Sequence, residues 1–187
     1  MPESCQTCGK TSSEVHLKRC SKCLTALTIC VNKTWLHDRP EMEVYKLLLD
    51  AYRLRVKDEF TLERRIPPNS IYSGAKDGFK GFTRFLGLAN SRRVLPPWWT
   101  PEKADACKKL GMDSSRGYDL RRVINKSEVI ERYSNRLFPM QLRMFAEIVI
   151  GRGIGGGGGE KMRKMMMAQE GNTEGFMSIL DISGSLV

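Results

Sequence analysis

Two Cys-x2-Cys pairs, Cys5/Cys8 and Cys20/Cys23, stand within the first 23 residues of a 187-residue chain, with 11 residues between them. No other feature limits the fold so tightly. A tight turn between two cysteines lets both sulfurs face one ion. Two such turns supply four thiolates, the coordination number of structural Zn²⁺. A fifth cysteine, Cys30, follows in "LTALTICVNKTWLHD". Lys10, Lys18, Arg19 and Lys22 lie among the thiols and offset their negative charge as thiolates. The chain opens on "MPESCQTC" with no apolar leader, so an intracellular setting, nucleus or cytoplasm, is expected. In a reducing compartment such pairs read as metal ligands rather than disulfides. No apolar run is long enough to cross a bilayer, so no membrane partner is expected.

The pattern "C-x2-C-G-K … L-K-R-C-S-K-C … A-L-x-x-C … W-x-H" over residues 5–37 resembles a MYND-type zinc finger. The resemblance implies a fold around two interleaved zinc ions. It would place Cys5, Cys8 and Cys30 in one site and Cys20, Cys23 and His37 in the other. The pattern is shortened here, because no cysteine follows Cys30 three or four positions on and none follows His37. Two closed sites need about eight ligands at four per ion. The head offers at most Cys5, Cys8, Cys20, Cys23, Cys30, His16 and His37. One firm Zn²⁺ and an incomplete second site are therefore expected, with His16 read as an exposed loop residue. A simpler arrangement also stands. Cys5, Cys8, Cys20 and Cys23 can close one site alone, leaving Cys30 as a buried thiol. The segments "RPEMEVYKLLLDAYRLRV" and "LPPWWTPEKADAC" are similar to the region behind the finger in a group of fungal proteins of unknown function.

By the same resemblance the finger presents a surface to short, often proline-containing peptides. The expected function is a protein–protein interaction adaptor with a protein or peptide partner. The alternative is a nucleic-acid binder, since the net charge is +10 and basic proteins gain affinity by counterion release. The basic residues come as scattered pairs, Arg64-Arg65, Arg92-Arg93, Lys108-Lys109 and Arg121-Arg122, and not as one tract. Catalysis is not expected. Both histidines, His16 and His37, lie in the head, so no Ser/His or Cys/His site can be assembled elsewhere. The glycine run "GRGIGGGGGE" lacks the Gly-Lys-Ser/Thr end of a phosphate loop and follows a helical pattern rather than a strand.

The expected architecture is a small zinc-stabilised head (1–39), a mainly α-helical region (40–153) and a flexible Gly-rich linker and tail (154–187). From Glu41 to about Phe60, Met42, Tyr45, Leu49, Tyr52 and Val56 draw one apolar stripe down a helix, and Leu48 and Ala51 widen it. Pro67, Pro68, Asn69, Gly74 and Gly78 break regular structure. A second helix follows in "FKGFTRFLGLANSRR", weakened by Gly81 and Gly87. "LPPWW" is extended or turned. Thr100, Pro101 and Glu102 then start a helix that Gly111 stops. Ser127 is read as the cap of "SEVIERY", and Pro139 opens a helix that Gly151 ends. Cys107 is read as a small buried apolar residue. Of Trp98 and Trp99, one is read as core and the other as a lid.

Overall fold

The computed structural model describes Ile29 and residues 32–155. Cys5, Cys8, His16, Cys20, Cys23, Cys30 and the tail lie outside these residues. Five α-helices follow one another: α1 Glu41–Thr61, α2 Phe79–Ser91, α3 Pro101–Gly111, α4 Lys126–Tyr133 and α5 Phe138–Ile150. Short 3-10 turns stand at Ile71–Ser73 and Ser114–Arg116, and no strand occurs among the described residues. The region is mainly α-helical, as expected from its apolar periodicity.

The starts and stops follow local chemistry. Thr100 Oγ1 accepts from the Lys103 N–H, and Pro101 takes the first helical position of α3. Gly151 ends α5 with φ +80°, the left-handed conformation glycine adopts without strain. The start of α4 differs from expectation. Asn125 caps it, two residues before Ser127, and Glu128 returns a hydrogen bond to the Asn125 N–H at 2.9 Å. A reciprocal capping box satisfies two free amides, which Ser127 has no acidic partner in register to match.

Helix α1 is the centre of the body. It packs against α2, α3 and α5, while α5 also packs on α2 and α4. The one-sided stripe expected for α1 is only part of its buried surface. Met42 is 45% exposed, whereas Leu47, Leu48, Leu49, Asp50, Ala51, Arg53 and Leu54 are all buried. Three consecutive leucines sweep most of a helix's circumference at 3.6 residues per turn. Covering them requires neighbours on several sides, and the charged residues between them are buried as a consequence.

The two glycines of α2 are not equivalent. A Cβ on Gly81 would collide with the Tyr52 hydroxyl of α1 and come within 2.8 Å of the Asn69 carbonyl oxygen, while a Cβ on Gly87 meets nothing within 4 Å. Gly81 therefore permits the close approach of α2 to α1. Gly87 only weakens its helix. Gly81→Ala is expected to destabilise by about 1–3 kcal/mol through overpacking. Gly87→Ala is expected to stabilise by roughly 0.5–1 kcal/mol through helix propensity. Urea denaturation of the two variants checks this, and shifts of the same sign would reject the distinction.

Candidate metal centre

Of the six residues expected to hold zinc, His37 lies among the described residues. It sits in a turn just before α1, where its backbone N–H donates to the Thr34 carbonyl at 2.9 Å. The two residues before it fasten the turn to the body. Leu36 is fully buried and Trp35 is 6% exposed. The Trp35 ring lies 5.2 Å from Phe145 and 6.2 Å from Phe138, both of α5, at tilted angles. Arg39 stacks its guanidinium 5.0 Å above the same indole and donates from Nε to the Trp35 carbonyl at 2.9 Å. His37 is thereby held at one edge of the helical body.

The imidazole Nε2 is closed off from solvent and has no hydrogen-bond partner among the described residues; the same holds for the Trp35 indole N–H. A buried polar atom left unpaired costs about 1–3 kcal/mol. An imidazole nitrogen so placed has no hydrogen-bond partner among the described residues to give up before meeting a further ligand. No group of three or more His, Cys, Asp or Glu side chains converges on one point among the described residues. Any ion at His37 would have to draw ligands from outside the described residues, where Cys5, Cys8, Cys20, Cys23 and Cys30 lie. Thiolates with one imidazole form a soft donor set that suits Zn²⁺.

A second polar cluster was not visible in the sequence. Asp50 of α1 is fully buried. Its carboxylate accepts from Arg132 Nη1 at 2.6 Å, the Tyr133 hydroxyl at 3.0 Å and Arg53 Nη1 at 3.2 Å. Arg53 and Arg132 both also donate to the Gly117 carbonyl, at 3.0 Å each. Arg132 stacks 4.4 Å above the Tyr118 ring. Burial pushes the Asp50 carboxyl above its ordinary value, and Arg132, Arg53 and Tyr133 pull it only part of the way back. Tyr133 is pushed up by burial and then by the Asp50 charge. The far end of α1 is matched likewise. Asp58 takes both arms of Arg143 at 2.7 and 3.0 Å, and Glu63 takes both arms of Arg152 at 2.8 Å. The signal for this was the leucine run Leu47–Leu49, which implies that polar residues beside it on α1 also go inside. Its donors and acceptors come from α1, α4 and the loop at Gly117, so it fastens these elements together.

Cys107 is fully buried, as expected, and its thiol lies 3.9 Å from the Tyr45 carbonyl; burial pushes its pKa well up, so it is packing and not a nucleophile. Neither tryptophan of "LPPWW" is core. Trp98 and Trp99 are both half-buried, 6.1 Å apart, and Trp99 meets Tyr45 edge-on at 5.8 Å. The basic pairs fall on four separate segments. Lys108 pairs with Asp105 and Arg121 with Asp119. No described helix is long and apolar enough to cross a membrane.

The described residues thus form a mainly helical body in which the Nε2 of half-buried His37 is closed off from solvent and has no hydrogen-bond partner among them. No protein-family model matches the chain, and neither a curated protein nor a solved structure matches it.

Proposed function

We propose that this chain is a zinc-binding protein of the MYND-finger type, in which residues 1–39 form a zinc-stabilised head fastened to the helical body, with a flexible tail after it. In this reading the protein is a non-catalytic adaptor that offers the finger to short peptide segments of a protein partner. Cys5, Cys8, Cys20, Cys23, Cys30 and His37 are the ligands. One observation carries the reading: the buried Nε2 of His37 has no partner among the described residues, at the end of a segment with five cysteines. The scattering of the basic pairs over four segments, three of them engaged by carboxylates, speaks against a single nucleic-acid face.

Native mass spectrometry of the full chain tests the metal. One tightly held Zn²⁺ is expected, with a second, if present, lost to a mild chelator. His37→Ala should weaken zinc retention by at least tenfold, in line with loss of one ligand. A chain that binds no zinc, or a His37→Ala variant that holds it unchanged, rejects the assignment. Peptide capture should depend on zinc and respond weakly to salt. Late elution from heparin with a steep salt dependence would instead favour the nucleic-acid alternative.

A further inference from the structure

Phe60, near the end of α1, is 39% exposed although aromatic. Its ring stacks on Tyr72, with 4.3 Å between centroids and 19° between planes. Tyr72 belongs to the 3-10 turn Ile71–Ser73. It borders a shallow notch of about 10 Å³ together with Val56 of α1 and with Arg122 and Val123 from the segment before α4. Val123 is 42% exposed, and Val56 and Phe60 stand one turn apart on α1. An aromatic pair and an aliphatic side chain thus share one face that is open to water. The notch itself holds no more than about one water molecule. The face therefore suits a chain laid across it and not a small molecule held inside it.

This face is fixed from beneath. Arg53 of α1, buried, donates from Nε to the Arg122 carbonyl at 3.2 Å and from Nη2 to the Val123 carbonyl at 3.3 Å. The Gly78 N–H donates to the Leu120 carbonyl at 3.0 Å. The turn under Tyr72 is closed by the Ser70 N–H, which donates to Ser73 Oγ at 3.2 Å. A surface already ordered loses little freedom when a partner binds.

Its charge has one sign. Arg122 and Lys126 are exposed, and neither has a carboxylate partner among the described residues. Lys57, one turn before Phe60, donates to the neutral side-chain amide of Asn125, which leaves its charge uncompensated. The carboxylates of the same elements are engaged elsewhere, Asp58 with Arg143, Asp119 with Arg121 and Glu128 with the Asn125 N–H. An apolar centre inside a cationic rim selects an acidic partner with an apolar anchor. A second copy of this chain, at net charge +10, would set cation against cation. Single-stranded nucleic acid fits less well. One face of each ring is already spent on the other ring, and bases need open ring faces and a groove of cations along their backbone.

We propose that the face formed by Phe60, Tyr72 and Val123 docks an acidic peptide segment of a protein partner. An aromatic or aliphatic anchor of that segment lies on Phe60 and Val123, and its carboxylates turn toward Arg122, Lys57 and Lys126. His37 lies just before the start of α1 and Phe60 close to its end, about 28 Å further along the helix axis at 1.5 Å per residue. The helical body thereby gives the protein a second contact point, which works without zinc.

Selection of a phage-displayed pool of random peptides on the full chain tests this. Peptides that remain bound in the presence of a zinc chelator should be rich in Asp and Glu around one Phe, Trp, Leu or Ile. Their affinity, read by fluorescence anisotropy, should fall about tenfold or more with Phe60→Ala and likewise with Arg122→Glu. It should also weaken as salt rises. Arg122→Glu changes an exposed side chain, so the body should melt at the same temperature and the loss of binding reports on the face itself. A selection that enriches no chelator-resistant peptide overturns the proposal. So do enriched peptides without acidic residues, or binding that survives either substitution. Tighter binding of a uridine oligonucleotide, lost in the same two variants, would assign the face to nucleic acid and overturn it as well.

Discussion

Asp50→Ala is expected to lower the unfolding free energy by about 3 kcal/mol, and Asp50→Asn by much less. The alanine leaves three donors, Arg53 Nη1, Arg132 Nη1 and the Tyr133 hydroxyl, without the acceptor they share. Each buried unsatisfied group costs roughly 1–3 kcal/mol, and the partial exposure of Arg132, at 21% for its side chain, trims its share. Asparagine keeps an oxygen in nearly the same place and removes only the charge. That charge is what burial disfavours, as the raised carboxyl shows. The pH dependence follows from the same direction. A carboxyl raised in the folded state stabilises most when protonated, so its contribution is complete below the unfolded value near 3.8 and is lost as pH rises through the higher folded value. The asparagine variant has no such titration. Its deficit against the unaltered protein should shrink between about pH 3 and pH 7. Urea midpoints of the three proteins across that range are the measurement. A deficit for Asp50→Asn that grows with pH would show that pairing, and not burial, governs this carboxylate.

Removing zinc is expected to lower the melting midpoint of the helical body by roughly 10 °C while leaving most of its helical circular dichroism, given the zinc assignment of His37. The body has its own core around α1, so its helices survive loss of the metal. It also borrows from the segment that carries His37, since Trp35 packs on Phe138 and Phe145 and Leu36 is fully buried. Deleting a buried tryptophan side chain costs about 3–5 kcal/mol, and each kcal/mol is worth about 2–8 °C in domains of this size range. Loosening the segment forfeits part of that amount. Trp35→Ala separates coupling from simple loss of metal. It should melt lower than the unaltered protein, and a chelator should then shift it little further. An unaltered protein that melts the same with and without chelator, or a Trp35→Ala variant that still responds fully, would break the proposed link between finger and body.

The elements legible in the order of residues alone are those set by local chemistry. Thr100 with Pro101, and Gly151, mark helix ends because capping depends on residues within one turn, whereas Gly111 is the last residue of α3 with Met112 as its cap, and a Cβ there would strike Leu49 and Leu120. The span of α1 follows from a periodicity carried inside its own 21 residues. The Cys-x2-Cys spacing likewise specifies a donor set without reference to anything distant. At the start of α4 the expected cap is Ser127, but the capping box of Asn125 with Glu128 decides, and both of its residues stand in the sequence.

Other features needed contacts between residues far apart in the chain. Asp50 meets Arg132 across 82 positions and Asp58 meets Arg143 across 85. No spacing rule pairs them, because their proximity arises only once α4 and α5 close over α1. The approach of α2 to α1 likewise made Gly81 a steric necessity and left Gly87 merely permissive, and the Nε2 of His37 is shut away from water only in the folded body. Local order therefore suffices for the helices, their ends and the soft donors of the head. Which faces of α1 are covered, and which charges must be paired, depends on the packing of distant helices. Periodicity records an intrinsic preference for one buried side, whereas burial on every side is a property of the neighbours.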